Sequence, residues 1–321
     1  MDREQKRIEE DLRGIVAGDV LCDDASRRLY ATDASLFEVR PLAVVRPRSA
    51  EDVAATVTWA AERGLPVHAR GGGSSVCGGA LGPGIVVDCS RYMRRILATD
   101  GETVRVQPGV VAANMEAHLA AFGRTFGPDP ANASATTVGG MIGRNSSGSR
   151  FLRHGAVRGR IVAAEVVLAD GAVVELAPRS AAEGDDRGGR VAALAAGVAA
   201  IVERSRGTIA RFQPAGRPSH AGYRLDDVVA ADGAVDLPRL LCGAEGTLGI
   251  VTAATFQTVP ADAATAVGLL LFDSLQKAAE AAVRLRGLGP SACDLFDRRH
   301  LALARGTKPA FDLLIPPVAE A

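Results

Sequence analysis

Three glycine-rich segments hold most of the residues whose types and spacing could do chemistry. The first is Arg70-Gly71-Gly72-Gly73-Ser74-Ser75-Val76-Cys77-Gly78-Gly79, placed directly after a short β-rich run. Consecutive glycines let backbone N–H groups turn toward one anion, and the two serine hydroxyls add donors, so a pyrophosphate is the natural guest. The loop fits neither common nucleotide motif. No lysine follows the glycines as in a Walker loop, and Val76 stands where the G-x-G-x-x-G pattern needs its third glycine. A plain flexible turn would read the same way in isolation.

The second segment is Phe126-Gly127-Pro128-Asp129-Pro130, continued by the run of small and hydroxyl-bearing residues from Thr136 to Arg150. A rigid Pro-Asp-Pro turn followed by such a run lets the main chain approach a flat, polyphosphate-bearing ligand closely. Ser146 and Ser147 lack the G-x-S-x-G setting of a hydrolase nucleophile. The third segment runs from Leu241 to Thr252 around Gly243, Glu245, Gly246 and Gly249. There Glu245 could cap a helix or hold a turn, and the surrounding glycines favour a ligand-facing loop.

These segments need a scaffold, and the chain of 321 residues, 47% hydrophobic, can bury one of about two domains. Its 37 basic and 37 acidic residues balance, which leaves no net field to collect nucleic acid or an anionic membrane surface. The five cysteines, Cys22, Cys77, Cys89, Cys242 and Cys293, form no CxxC pair and no metal-ligand spacing, which fits a reducing compartment and no metal site. The charged N-terminus leads into no apolar signal core, and no apolar run approaches the ~20 residues that span a bilayer. The expectation is a cytoplasmic chain, with peripheral membrane docking through a partner left open.

The periodicity predicts an N-terminal helix and loop over 1–40, then strands near 42–47, 66–70, 85–88 and 103–107. Helices are expected after the capping pattern of Ser49 and Asp52, over about 112–122, and over 189–204. Ile161 to Leu168 and Val173 to Leu176 read as a hairpin closed by Asp170-Gly171, with Asp-Gly supplying positive φ angles. Arg179 to Gly189 reads as a polar surface loop, and 249–259 as a β-rich run. Beyond 265, a strand at 266–272, a helix at 274–287 and a strand at 291–296 are expected, half of a split βαβ layer.

Together, in order and spacing, the three segments resemble the FAD-linked oxidases of the vanillyl-alcohol oxidase and p-cresol methylhydroxylase superfamily. The branch they resemble contains the glycolate oxidase flavin subunit, D-lactate dehydrogenases and D-2-hydroxyglutarate dehydrogenases. The likeness covers about residues 20 to 305 and includes Gly222-Tyr223-Arg224-Leu225-Asp226 and the stretch from Gly289 to Asp297. It implies an α+β fold: a two-lobed PCMH-type FAD-binding domain over 41–260, with lobes of about 41–110 and 111–260. A ferredoxin-like α+β cap would begin at 261–321 and remain incomplete.

The resemblance also implies site residues. Gly71, Gly72, Gly73, Ser74 and Ser75 would hold the pyrophosphate through backbone amides, and Thr137, Gly140, Asn145 and Gly148 would line the flavin. Pro128 and Asp129 would sit near the isoalloxazine, the backbone at Ile161 would meet the adenine, and the Glu245-Gly246 loop would close over the cofactor; Arg70, Gly78, Ser147, Arg150 and Ile250 complete the cofactor-binding set. Ser74 stands where covalently flavinylated relatives carry His, which implies non-covalent FAD. Relatives often carry Asn at the position of Arg144 and Asp at that of Gly159, so contacts there differ.

The implied chemistry is oxidation of a 2-hydroxy acid such as D-lactate, glycolate or D-2-hydroxyglutarate, with hydride transfer to the flavin N5. Arg217 and Arg224 are candidates for the substrate carboxylate. No catalytic base is identified: His68, His118, His154, His220 and His300 are scattered, with no pair at metal-ligand spacing. The partner expected is a chain carrying the rest of a cap or an iron–sulfur module. Two alternatives stand beside this reading: a non-catalytic flavin-binding subunit of a larger complex, and a reductase such as the enolpyruvyl-sugar reductase of cell-wall synthesis.

Overall fold

A computed structural model describes residues 3–180, 189–213 and 222–307. The N-terminal helix α1 (Arg3–Arg13) leads to β1 (Asp19–Leu21), α2 (Asp24–Leu29), β2 (Ala43–Arg46), α3 (Ala50–Glu62), β3 (Val67–Arg70) and β4 (Ile85–Asp88). These strands form one sheet in the order β1-β2-β4-β3, with β2, β4 and β3 parallel and β1 antiparallel at the edge. β4 is buried along its whole length, as expected of a strand flanked on both sides. Ile8, Leu12 and Val16 pack with Val20, Val45, Trp59 and Ile85, so the N-terminal segment belongs to this core rather than preceding it.

Ser49 caps α3 by accepting from the Asp52 amide, but the Asp52 carboxylate does not complete a box. It accepts from the amides of Ala17 (2.8 Å) and Arg48 (2.8 Å), which ties the N-terminal segment to the helix.

The second sheet begins at β5 (Ile96–Thr99), ahead of the division at 110 expected from the sequence, and continues through β6 (Thr103–Val106). Next come α4 (Ala112–Ala120), the short β7 (Arg124–Thr125), α5 (Val138–Arg144), α6 (Phe151–His154), β8 (Ile161–Val167) and β9 (Val173–Leu176). β10 (Arg179–Ser180), α7 (Arg190–Arg204), α8 (Arg206–Phe212), β11 (Ala234–Val235), α9 (Leu237–Leu241), β12 (Ile250–Gln257) and β13 (Val259–Pro260) follow. The five-stranded antiparallel sheet runs β5-β6-β12-β8-β9. Its core centres on Val106, Met115, Phe126, Met141, Ile142, Ala164 and Phe256, with Phe126 edge-on to Phe256 at 5.0 Å between centroids.

The β8–β9 hairpin forms as expected, but by a different turn. Gly171 alone has positive φ (+83°), and its amide bonds the Leu168 carbonyl (2.9 Å) in a four-residue loop. Asp170 instead accepts from the Ala172 amide. Residues 181–188, which include most of the expected surface loop, lie outside the described residues.

After Pro260 the expected split layer is absent. α10 (Leu275–Leu285) and α11 (Arg298–Thr307) form, but 266–272 and 291–296 carry no strand among the described residues. The apolar runs there have β character, yet among the described residues no strand pairs with them to take their hydrogen bonds. Among the described residues, no helix is long and apolar enough to cross a membrane.

Candidate functional site

The three glycine-rich segments converge on one cleft. It contains a cavity of about 260 Å³. The lining comes from residues 69–76 and 79–80, from parts of the stretches 136–146 and 241–251, and from Cys89, Pro108 and Pro130. The first loop leaves the C-terminal end of a parallel strand, where open α/β sheets place their ligands.

Two close approaches explain the glycines. A Cβ on Gly71 would lie 1.9 Å from Thr137 Oγ1, and one on Gly72 would lie 2.1 Å from the Ala135 carbonyl oxygen. The first loop therefore lies directly on the second segment, at a spacing only glycine permits. Among the described residues, nothing accepts from the amides of Gly72, Gly73, Ser74, Ser75 or Val76. Ser75 Oγ folds the loop tip by accepting from the amides of Cys77 (3.3 Å) and Gly79 (3.0 Å).

Arg70 braces this loop from behind. Its guanidinium donates to the carbonyls of Thr32 (2.9 Å), Tyr30 (3.2 Å) and Ala80 (3.4 Å), and lies over the Tyr30 ring.

The second segment enters α5 through Thr137, which is 3% exposed, makes no side-chain cap bond and leaves Oγ1 without a partner. A buried hydroxyl in that state costs about 1–3 kcal/mol. The helix ends at Asn145 in the left-handed region (φ 48°). The third segment docks on that end: the amides of Gly243 and Glu245 donate to the carbonyls of Ile142 (3.0 Å) and Gly143 (2.9 Å). Glu245 is held at φ 52°, a conformation that costs a non-glycine residue about 1 kcal/mol or more.

Of the residues expected from the sequence, Arg70 to Ser75, Thr137, Gly140, Glu245, Gly246 and Ile250 line the cleft. Gly78, Pro128, Asp129, Asn145, Ser147, Gly148, Arg150 and Ile161 do not, and most of them shape its walls. Asp129 bonds the Ser147 carbonyl through its amide and accepts from the Arg150 amide (2.8 Å both), and a Cβ on Gly148 (φ +97°) would strike the Asp129 carbonyl. Buried Asn145 accepts from the Arg158 amide at 3.0 Å. Arg158 in turn pairs with Asp227 and donates to the carbonyls of Arg239 and Arg224. Ile161 is buried at the start of β8, opposite Phe256.

Arg224 is engaged by Asp226 through its own side chain and lies outside the lining, so it is not a free carboxylate clamp. Arg217 falls outside the described residues. Cleft residues not anticipated include Pro108, Arg144, Ser146, Ala244 and Gly249. Arg144 and Ser146 stood inside the quoted segment, whereas Pro108 follows β6 with no motif to mark it.

No histidine lines the cleft. His154 packs against Gly127, and burial, reinforced by Arg160, Arg153 and Arg150, lowers its pKa. Among the described residues, no group of three or more His, Cys, Asp or Glu side chains could hold a metal ion.

Residues 41–177 match the family model of the FAD binding domain. That stretch of the chain carries a FAD binding domain. It is 32% identical to a D-2-hydroxyglutarate dehydrogenase of Pantoea ananatis over 90% of its length, and 31% identical to glycolate oxidase subunit GlcD of Bacillus subtilis over 83%. It spans 29% and 47% of the lengths of those relatives. Its fold is shared with a solved alkyldihydroxyacetonephosphate synthase, at TM-score 0.64 and 20% identity, over 97% of this chain and 50% of that one.

The cleft of the FAD binding domain fits such a ligand. Unpartnered loop amides suit a pyrophosphate, and Thr137 Oγ1 is a buried donor awaiting an acceptor.

Proposed function

We propose that this chain is the FAD-binding portion of a flavin-dependent dehydrogenase of 2-hydroxy acids of the D-lactate, glycolate or D-2-hydroxyglutarate type. The observation that carries the reading is the convergence of three sequence-distant glycine segments on one cleft, with free amides on one wall and a partnerless buried hydroxyl on another. The similarity to a D-2-hydroxyglutarate dehydrogenase and to a glycolate oxidase subunit supports the substrate class.

In this reading the amides from Gly72 to Val76 hold the FAD pyrophosphate, and Thr137, Gly140 and the Glu245-Gly246 turn border the rest of the cofactor. FAD supplies a two-electron acceptor for the hydride of the substrate carbon. The protein's own contribution is to orient the cofactor and exclude water along the wall formed by Pro108, Ile142, Leu241 and Ile250. Attachment is non-covalent, because Ser74 offers no nucleophile strong enough to replace a histidine. The hydroxyl-proton base and the substrate carboxylate grip come from a cap domain rather than from the cleft lining, which carries no histidine.

The test is the visible spectrum of the purified protein before and after acid precipitation, followed by anaerobic addition of D-lactate, glycolate and D-2-hydroxyglutarate. A yellow protein that releases FAD into the acid supernatant supports the cofactor reading. Bleaching by one acid identifies the substrate, and no bleaching by any of them leaves the cofactor reading standing but counts against the substrate class. A colourless protein that cannot be reconstituted with FAD overturns the proposal.

A further inference from the structure

The cleft is poor in charge for a site meant to hold a dianion. Its lining carries two guanidinium groups, Arg70 and Arg144, and one carboxylate, Glu245. Arg70 is turned away, with its donors on three backbone carbonyls. Arg144 is different. It lies in the last turn of α5, on the second sheet's side of the cleft, and reaches across to the glycine loop of the first.

Its two contacts there are weak: one terminal nitrogen is 3.4 Å from Ser75 Oγ and the other 3.9 Å from Cys77 Sγ. Among the described residues it has no carboxylate partner, and its side chain is exposed. An exposed guanidinium resting on a hydroxyl and a thiol has most of its hydrogen-bonding capacity unused. The loop beneath it presents five amides from which no group among the described residues accepts. A planar fork of donors above a nest of amides matches the two faces of a phosphate group.

We infer that Arg144 is a lobe-spanning clamp that closes over the pyrophosphate of the bound dinucleotide and supplies the main side-chain charge opposing it. The inference rests on the FAD reading above and adds a residue to it. The clamp joins the two sheets only through the ligand, because the direct contacts between Arg144 and the loop are too long to hold them together unaided.

The experiment compares wild type, R144Q and R144K in equilibrium binding of FAD and of riboflavin, which lacks the pyrophosphate, across a range of NaCl concentrations. The apo proteins are melted in parallel. For R144Q, FAD affinity is expected to fall about ten-fold at low salt, as for loss of one charge-assisted contact, and its salt dependence to flatten. Riboflavin binding and the apo melting temperature should stay unchanged, and R144K should recover part of the salt-dependent component. FAD binding by R144Q with wild-type affinity and salt slope would overturn the clamp. So would an equal loss for FAD and riboflavin, or a lowered apo melting temperature, since either assigns Arg144 a structural role. Failure of the wild-type protein to bind FAD is a separate outcome that overturns the proposed function itself.

Discussion

Cys77 turns the proposed site into something that can be titrated. It sits exposed on the glycine loop, and Cys293 is exposed far along the chain, while Cys22, Cys89 and Cys242 are buried. Burial pushes the thiol of Cys22 up to about 11 and those of Cys89 and Cys242 up to about 12. The thiolate is the reactive form, so these three are both shielded and protonated at neutral pH. A disulfide-exchange reagent on the native protein should therefore consume two thiols quickly and the other three only on unfolding. Saturating FAD should slow Cys77 and leave Cys293 alone. Equal rates with and without FAD at both positions would move the cofactor away from the loop.

The glycine loop, α5 and the Glu245 turn form one unit, because each meets the next through the backbone. Gly72 is the tightest test of that unit that leaves α5 itself intact. Its Cβ would lie 2.1 Å from the Ala135 carbonyl, a main-chain atom that no rotamer change can move. Gly72→Ala should destabilise by about 1–3 kcal/mol, the usual cost of overpacking, and lower the melting temperature by several degrees. It should also weaken FAD binding by more than about ten-fold, because the loop amides would be displaced. Gly159→Ala is the control: an added Cβ meets nothing within 4 Å there, so melting and binding should match wild type.

Such contacts mark where the sequence was legible and where it was not. The strands over 42–47, 66–70, 85–88 and 103–107 and the hairpin beginning at Ile161 were readable because apolar patterning and turn residues agree locally. The three segments were readable as parts of one site through their joint order and spacing, since a single glycine cluster reads equally as a plain turn. What the sequence did not show is how the residues beside the cleft are held: Asn145 accepts from Arg158, and Asp129 bonds Ser147 and Arg150, pairings no one-dimensional pattern announces. β1 and β5 were missed because the first has only three residues and the second buries none of its four, so neither carries an apolar alternation to mark it.

Across the whole molecule, the region after Pro260 behaves unlike the rest. The four- and five-stranded sheets lie between Asp19 and Gln257, and the strands expected at 266–272 and 291–296 did not form. The apolar side chains that would have faced a cap core are left in solvent: Val267 is 99% exposed and Leu288 82%, and Leu269, Leu270, Leu271, Val283, Leu295, Phe296 and Leu303 are exposed as well. Single exposed apolar residues are ordinary, but this density within about forty positions exceeds what a covered layer would show. The protein should bind an apolar fluorophore such as anilinonaphthalene sulfonate while its near-ultraviolet circular dichroism remains that of a packed protein, which separates this surface from a molten state. Replacing Val267 and Leu270 together by Ser should lower the dye signal without lowering the melting temperature, since neither side chain is buried in the core. Dye emission at background in the wild type, or a melting temperature that falls with the substitutions, would mean that these residues are packed in solution and that the layer after Pro260 is already covered.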